Sequence, residues 1–176
     1  ESESQRPLIL LAAIGSLVYL AIAWSKNFDL ADDDTLSQYV AWRLLLSGEQ
    51  LETWTIATPK LLQIITDGPI NALLGVAAAL TRSVVVSFVA AAAGASVVHR
   101  YWGSWPAVAC LSLLMSNRTV FNFVMSGNST ALFSSLLIVA VWLWARGSRP
   151  FVVISMLGLA ATCRTEGICF LGLAAL

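Results

Sequence analysis

The sequence predicts an all-α fold: a polytopic integral-membrane helical bundle with an outer loop carrying amphipathic helices. Three observations predict it. Of the 176 residues, 58% are hydrophobic and only 11% charged, against about 25% charged in a typical soluble domain. The mean hydropathy is +0.79. The apolar residues are gathered into long runs parted by one polar segment, residues 25–66. A formal net charge of zero leaves no basic excess for a nucleic-acid partner. Too little polar surface remains for a soluble globular enzyme, and too few charges for a disordered chain.

The elements follow in order. Residues 7–24 are an almost uncharged run behind Arg6, long enough to cross a bilayer, and no small-residue cleavage pattern follows them. This predicts a first transmembrane helix with its N-terminus inside. Residues 25–66 then collect Lys26, Asp29, Asp32, Asp33, Asp34, Arg43, Glu49, Glu52 and Lys60. They also place Leu36, Tyr39, Val40, Trp42, Leu44 and Leu46 at helical spacing, which suits short helices lying at the bilayer surface. Asp33 or Asp34 caps the helix start and Gly48 ends it. Pro59 and the Asp67-Gly68-Pro69 turn are expected to break the chain.

Beyond that turn, residues 70–80 are too short to span and read as a re-entrant or interfacial helix. Spans are expected at 83–98, 105–116, 129–145 and 151–162, the third and fourth parted by Arg146-Gly-Ser-Arg149. The run 168–176 reads as a helix cut in its middle, so 1–176 reads as one transmembrane domain within a longer protein. His99-Arg100 and Arg146–Arg149 are short basic loops without acids, which the positive-inside rule places in the cytoplasm. Lys26, Arg43, Lys60, Arg82, Arg118 and Arg164 then fall outside, as do eight of the ten acids.

Three groups of residues are candidates for chemistry. Asp32, Asp33 and Asp34 are consecutive. Like charges this close raise one another's proton affinity while a helix N-terminus lowers it, which can leave one carboxylate as a general base. The same triple can clamp a divalent cation, or simply be an acid-rich helix start on a wet loop. Lys60, Arg118 and Arg164 stand at outer membrane edges, where cations suit a lipid phosphate or snorkel to headgroups. Glu166 stands two residues from Arg164 and can pair with it. Asn117-Arg118-Thr119 and Asn128-Ser129-Thr130 match the glycosylation acceptor pattern, and Asn128 is equally a helix cap. The three cysteines, in or beside apolar runs, suit buried small hydrophobes. A single histidine excludes a multi-histidine metal site within this chain.

The layout resembles the N-terminal membrane half of GT-C fold glycosyltransferases that use polyprenyl- or dolichyl-phosphate sugars. The likeness is carried by a first span, acids early in the outer loop, and a helix ending at Gly48 about fifteen residues after Asp33-Asp34. Thr58-Pro59-Lys60-Leu61-Leu62 and Arg164-Thr165-Glu166-Gly167 complete it. Thr165 stands where that family has Pro, and Pro-Lys-Leu replaces Lys-Pro-Leu. The resemblance implies sugar transfer from a lipid-phosphate donor to a glycan, lipid or protein acceptor. It places the enzyme in a bacterial or archaeal cytoplasmic membrane with its active face outside. It implies Asp33, with Asp34 and Asp32, as catalytic carboxylates. It puts Lys60, Arg164, Arg118 and Glu166 at the donor phosphate. No cofactor beyond an optional divalent cation is implied. A secondary transporter and a non-catalytic membrane scaffold subunit are the alternatives; the crowding of charge at one edge and the lack of a repeat favour the enzyme.

Overall fold

The computed structural model describes residues 2–25, 42–44, 46–47, 61–125, 129–164 and 166–174. Among them there are helices and turns and no strand. The helices are α1 (Ser2–Ser25), α2 (Leu61–Leu74), α3 (Val76–Trp102), α4 (Ser104–Ser116), α5 (Arg118–Met125), α6 (Ser129–Ala145), α7 (Pro150–Ala161) and α8 (Gly167–Ala174).

Helix α3 is the centre. It packs against α1, α2, α4, α5 and α6, while α7 leans on α6 and α8 on α7. The reason lies in its small residues. Ala91 and Ala95 let α1 and α4 approach closely, and meet Leu8, Ala12, Ala107 and Leu111 in one buried cluster. A second cluster gathers Tyr19, Val84, Phe88, Val124, Met125 and Ala131. Tyr19 anchors it. Its ring meets Phe88 and Phe121 edge-on at 4.9 and 5.0 Å, and its hydroxyl donates to the Met115 carbonyl at 2.6 Å. The aromatic body is thus buried with its polar tip satisfied.

Glycines set the breaks. Gly75 (φ 83°) parts α2 from α3 and Gly103 (φ 89°) parts α3 from α4. Both occupy the region that L side chains rarely enter, so each can end one helix and start another without an intervening loop.

The structure corrects the sequence reading in several places. Asp67-Gly68-Pro69 does not break the chain: α2 runs through all three, with Pro69 inside the helix. Gly68 serves packing instead, because a Cβ there would overlap the Trp42 side chain. Residues 70–80 are not one element; the break falls at Gly75. Arg82 lies inside α3 and ends nothing. Asn117 to Asn128 is not all loop. Asn117 caps a further helix, its Oδ1 accepting from the backbone N–H groups of Thr119 at 2.9 Å and Val120 at 3.2 Å. Residues 61–66, read as the end of the outer loop, are the first turns of α2. Of the cysteines, Cys163 is buried and Cys169 exposed.

Length discriminates among the expected spans. Leu80–Trp102, 23 residues, is long and apolar enough to cross a membrane; at 1.5 Å per residue it measures about 35 Å, against a hydrocarbon core of about 30 Å. Ser104–Ser116 and Arg118–Met125 pass the same test only as a pair, and they bend by 63° at their junction. Arg6–Ile22, Ser129–Ala145 and Pro150–Ala161 are shorter apolar helices.

Candidate functional site

Helix α2 carries Gln63, Asp67 and Asn71, each four residues after the last, so all three share one face. That face is buried: Asp67 is 2% exposed and Asn71 8%. Fifteen residues of uninterrupted helix would carry the chain about 22 Å. Yet Arg82 Nη2, fifteen residues on, lies 2.5 Å from Asp67 Oδ2. Helices α2 and α3 therefore fold back on each other at Gly75, and this hairpin makes the pair.

A buried carboxylate is tolerable only when it is paired and hydrogen-bonded. Burial pushes the Asp67 carboxyl above its ordinary range, and the Arg82 charge, with the neighbouring side chains of Gln63 and Thr66, acts in the lowering direction. The satisfaction is incomplete. Asp67 Oδ1, Arg82 Nε and both polar side-chain atoms of Asn71 are buried with no hydrogen-bond partner.

The turn after α7 brings a second group to the same end of the bundle. Cys163 is buried there, its thiol pushed up to about 11 by burial, with the charges of Arg82 and Asp67 both acting on it. Arg164 follows. Its Nη2 and Nε donate to the two carboxylate oxygens of Glu166 at 2.8 and 3.3 Å, and its Nη1 donates to Thr130 Oγ1 at 2.6 Å. The guanidinium is thus fixed from two sides, by its own turn and by the start of α6, while 36% of its side chain remains exposed. A planar guanidinium so held can donate to an anionic oxygen.

Gly167 is what lets this turn close. A Cβ at that position would sit 2.5 Å from Ala161 Cα and 2.7 Å from Ala161 N, both backbone atoms. Gly167→Ala is expected to push α8 off α7 and destabilise the fold by about 1–3 kcal/mol. Thermal unfolding in detergent checks it, and an unchanged midpoint means the turn can relax.

The opposite end of α3 is different in kind. Arg100 and Arg82 are eighteen residues apart on one helix, about 27 Å. Arg100 Nη1 donates to the Ala145 carbonyl at the end of α6 at 2.8 Å, and the Arg146 guanidinium lies 4.6 Å from the centre of the Trp142 ring. Tyr101, Trp102, Trp105 and Trp144 are exposed around these cations. The bundle thus has one end carrying both acids and bases and one end that is basic and aromatic.

The sequence-predicted site residues divide accordingly. Arg164 and Glu166 come together as a pair. Arg118 is exposed at the start of α5 and enters no ion pair with another described residue. Asp32, Asp33, Asp34 and Lys60 lie outside the described residues. Among the described residues no group of three or more His, Cys, Asp or Glu stands together to hold a metal ion. Sequence reasoning missed the α2–α3 cluster because it took Asp67 for a turn residue and Arg82 for a boundary. The signal was the fourfold spacing of Gln63, Asp67 and Asn71 in an otherwise apolar stretch. The protein-family models, the curated proteins and the solved structures contain no match to the chain.

Proposed function

We propose that the chain is a membrane glycosyltransferase of GT-C type that moves a sugar from a lipid-phosphate donor to an acceptor on the non-cytoplasmic face. The observation that carries this reading is the Arg164 guanidinium, held by Glu166 and Thr130 at the mixed-charge end of a bundle with apolar sides. Its membrane setting is a polytopic bundle with residues 25–60 outside. Two facts support that setting. Only 28% of the apolar Leu80–Trp102 stretch is buried, unlike the core helix of a soluble protein. Large apolar side chains such as Leu73 and Phe151 are exposed along the flanks.

The chemistry needs few groups. The acceptor hydroxyl gives its proton to a carboxylate, its oxygen bonds to the anomeric carbon, and the bond from that carbon to the phosphate oxygen breaks. The lipid phosphate leaves with the electron pair. It is a good leaving group, so it needs cations around it rather than a general acid. Arg164, with Lys60 and Arg118, supplies the cations and Asp33 the base.

Arg164→Gln is expected to raise the apparent KM for the lipid donor about tenfold, the loss of one charge-assisted hydrogen bond, with Arg164→Lys restoring part of it. Steady-state transfer from a synthetic polyprenyl-phosphate sugar measures this. An unchanged donor KM sinks the role.

A second reading draws on Asp67–Arg82: an ion pair inside an apolar body can line a transport path. That reading expects solute uptake by vesicles holding the protein, lost in Asp67→Asn. The glycosyltransferase reading expects transfer without uptake.

A further inference from the structure

We propose that Arg100, Arg146 and Arg149 form a docking surface for the headgroup of an anionic phospholipid, at the basic and aromatic end of the bundle. The inference goes beyond the transferase reading and rests only on its membrane setting.

The fold brings these cations together. Arg100 belongs to the last turn of α3, yet its Nη1 reaches the Ala145 carbonyl at 2.8 Å, beside the residue that follows, Arg146. Arg146 in turn is drawn over the Trp142 ring. Arg149 comes three residues later, at the start of α7. The backbone fixes the turn between them. Gly147 N–H donates to the Trp144 carbonyl at 2.9 Å and Ser148 N–H to the Leu143 carbonyl at 3.0 Å, with Gly147 at φ 72°, the arrangement that closes a helix end. The cations are therefore held on packed helix ends, and docking an anion costs little ordering of the chain.

Charge selects the sign of the partner. No acidic residue occurs from His99 to Trp105 or from Trp142 to Phe151, and all three arginines are exposed. Helix α1 also starts toward this end, since Leu8 and Ala12 meet Ala95 and Ala107; its first turns carry Glu3 and Arg6, one charge of each sign.

The surroundings select a lipid over a soluble anion. Trp102, Trp105 and Trp144 are exposed around the cations, and indole rings settle at the level of lipid headgroups. Arg100 stands two residues from the end of the apolar Leu80–Trp102 stretch, so a bilayer crossed by that stretch has its phosphates at the level of Arg100. A phosphate there accepts from the guanidinium groups. A zwitterionic headgroup offers the same phosphate but also brings an ammonium group toward three arginines. The positive-inside rule asks only for positive charge in such a loop. It does not require Arg100 to be held on Ala145 or Arg146 on Trp142.

Native mass spectrometry of the protein in detergent micelles, titrated with dioleoyl phosphatidylglycerol or dioleoyl phosphatidylcholine, tests the proposal. Micelles have no inside, so an effect on insertion cannot imitate binding. Phosphatidylglycerol should bind about tenfold more tightly than phosphatidylcholine. Arg146→Gln with Arg149→Gln should weaken phosphatidylglycerol about tenfold, the loss of two surface cations, and leave phosphatidylcholine unchanged. Arg146→Lys with Arg149→Lys should stay within about threefold of the wild type, because the charge is kept. Raising ammonium acetate from about 0.1 M to about 1 M should shrink the wild-type preference, since exposed charges are screened; this arm needs no variant. The inference is overturned if the wild type shows no preference, if salt leaves the preference intact, or if the Gln pair binds phosphatidylglycerol as the wild type does. It is overturned too if the Lys pair loses as much as the Gln pair, or if glycerol 3-phosphate displaces the lipid at equal concentration, which marks a site for a soluble anion. Retention of the protein in membranes through an alkaline carbonate wash, with no lipid preference, removes this surface and leaves the membrane setting standing. Release by the wash removes the membrane setting and this surface with it.

Discussion

Arg82→Met is expected to destabilise the protein by about 3–5 kcal/mol, the usual cost of breaking a buried pair by removing one partner. The magnitude comes from what stays behind. Asp67 is 2% exposed and has no water to fall back on. Without the guanidinium its charge is uncompensated, so the side chain must take up a proton or pull α2 away from α3. The reverse change, Asp67→Asn, is expected to cost less. Arg82 keeps 19% of its side-chain exposure, and a long cationic side chain can redirect its head toward solvent. Replacing both, as Asp67→Leu with Arg82→Met, should recover much of the loss, since an apolar pair of similar volume removes both desolvation penalties. Reversible unfolding of these proteins and of Asp67→Leu alone, in mixed micelles, closes the cycle of Asp67→Leu and Arg82→Met. A coupling below about 0.5 kcal/mol would mean that the two residues act independently, and that the hairpin at Gly75 is held by its apolar contacts alone.

This pair also shows where sequence reasoning reaches and where it stops. The apolar runs 7–24, 105–116, 129–145 and 151–162 were legible as helices because length and composition suffice to mark them, and α1, α4, α6 and α7 occupy those places within a few residues. Gly-Pro after an acid normally spells a turn. Here α2 runs through it, with the Trp42 side chain seated against the absent Cβ of Gly68, a tertiary contact no local rule can foresee. The helix at 118–125 was hidden because the stretch between the expected spans 105–116 and 129–145 was read as a connection, and Asn117 was not read as a cap. The Arg164–Glu166 pair was legible because it is local. The Asp67–Arg82 pair was not, because its two halves belong to different helices and meet only through the fold-back at Gly75. The acid-rich segment that the sequence singles out most strongly, Asp32 to Asp34, lies outside the described residues.

Asp33→Asn is expected to abolish transfer while leaving expression and donor binding nearly intact. The base must be a carboxylate that can approach a donor whose lipid tail stays in the bilayer. Eight acids qualify by their place in the sequence: Asp29, Asp32, Asp33, Asp34, Glu49, Glu52, Asp67 and Glu166. The structure removes two of them. One Asp67 oxygen is committed to Arg82 and the carboxyl is buried within the hairpin. Both oxygens of Glu166 accept from Arg164, and a carboxylate so held makes a weak base. Glu49 and Glu52 follow Gly48, where the sequence predicts a helix end, and are expected to face water. Among the remaining aspartates, Asp33 and Asp34 carry the spacing to Gly48 on which the family resemblance rests, and Asp33 alone has an acid on both sides. Loss of the base removes the proton acceptor as the new bond forms, typically 10²–10⁴-fold in rate, which a transfer assay reads as no turnover. Donor binding should persist, because the cations at the phosphate are untouched. Wild-type turnover in Asp33→Asn with loss in Asp34→Asn moves the base one residue along. Wild-type turnover in both variants means that the transferase reading of this cluster fails.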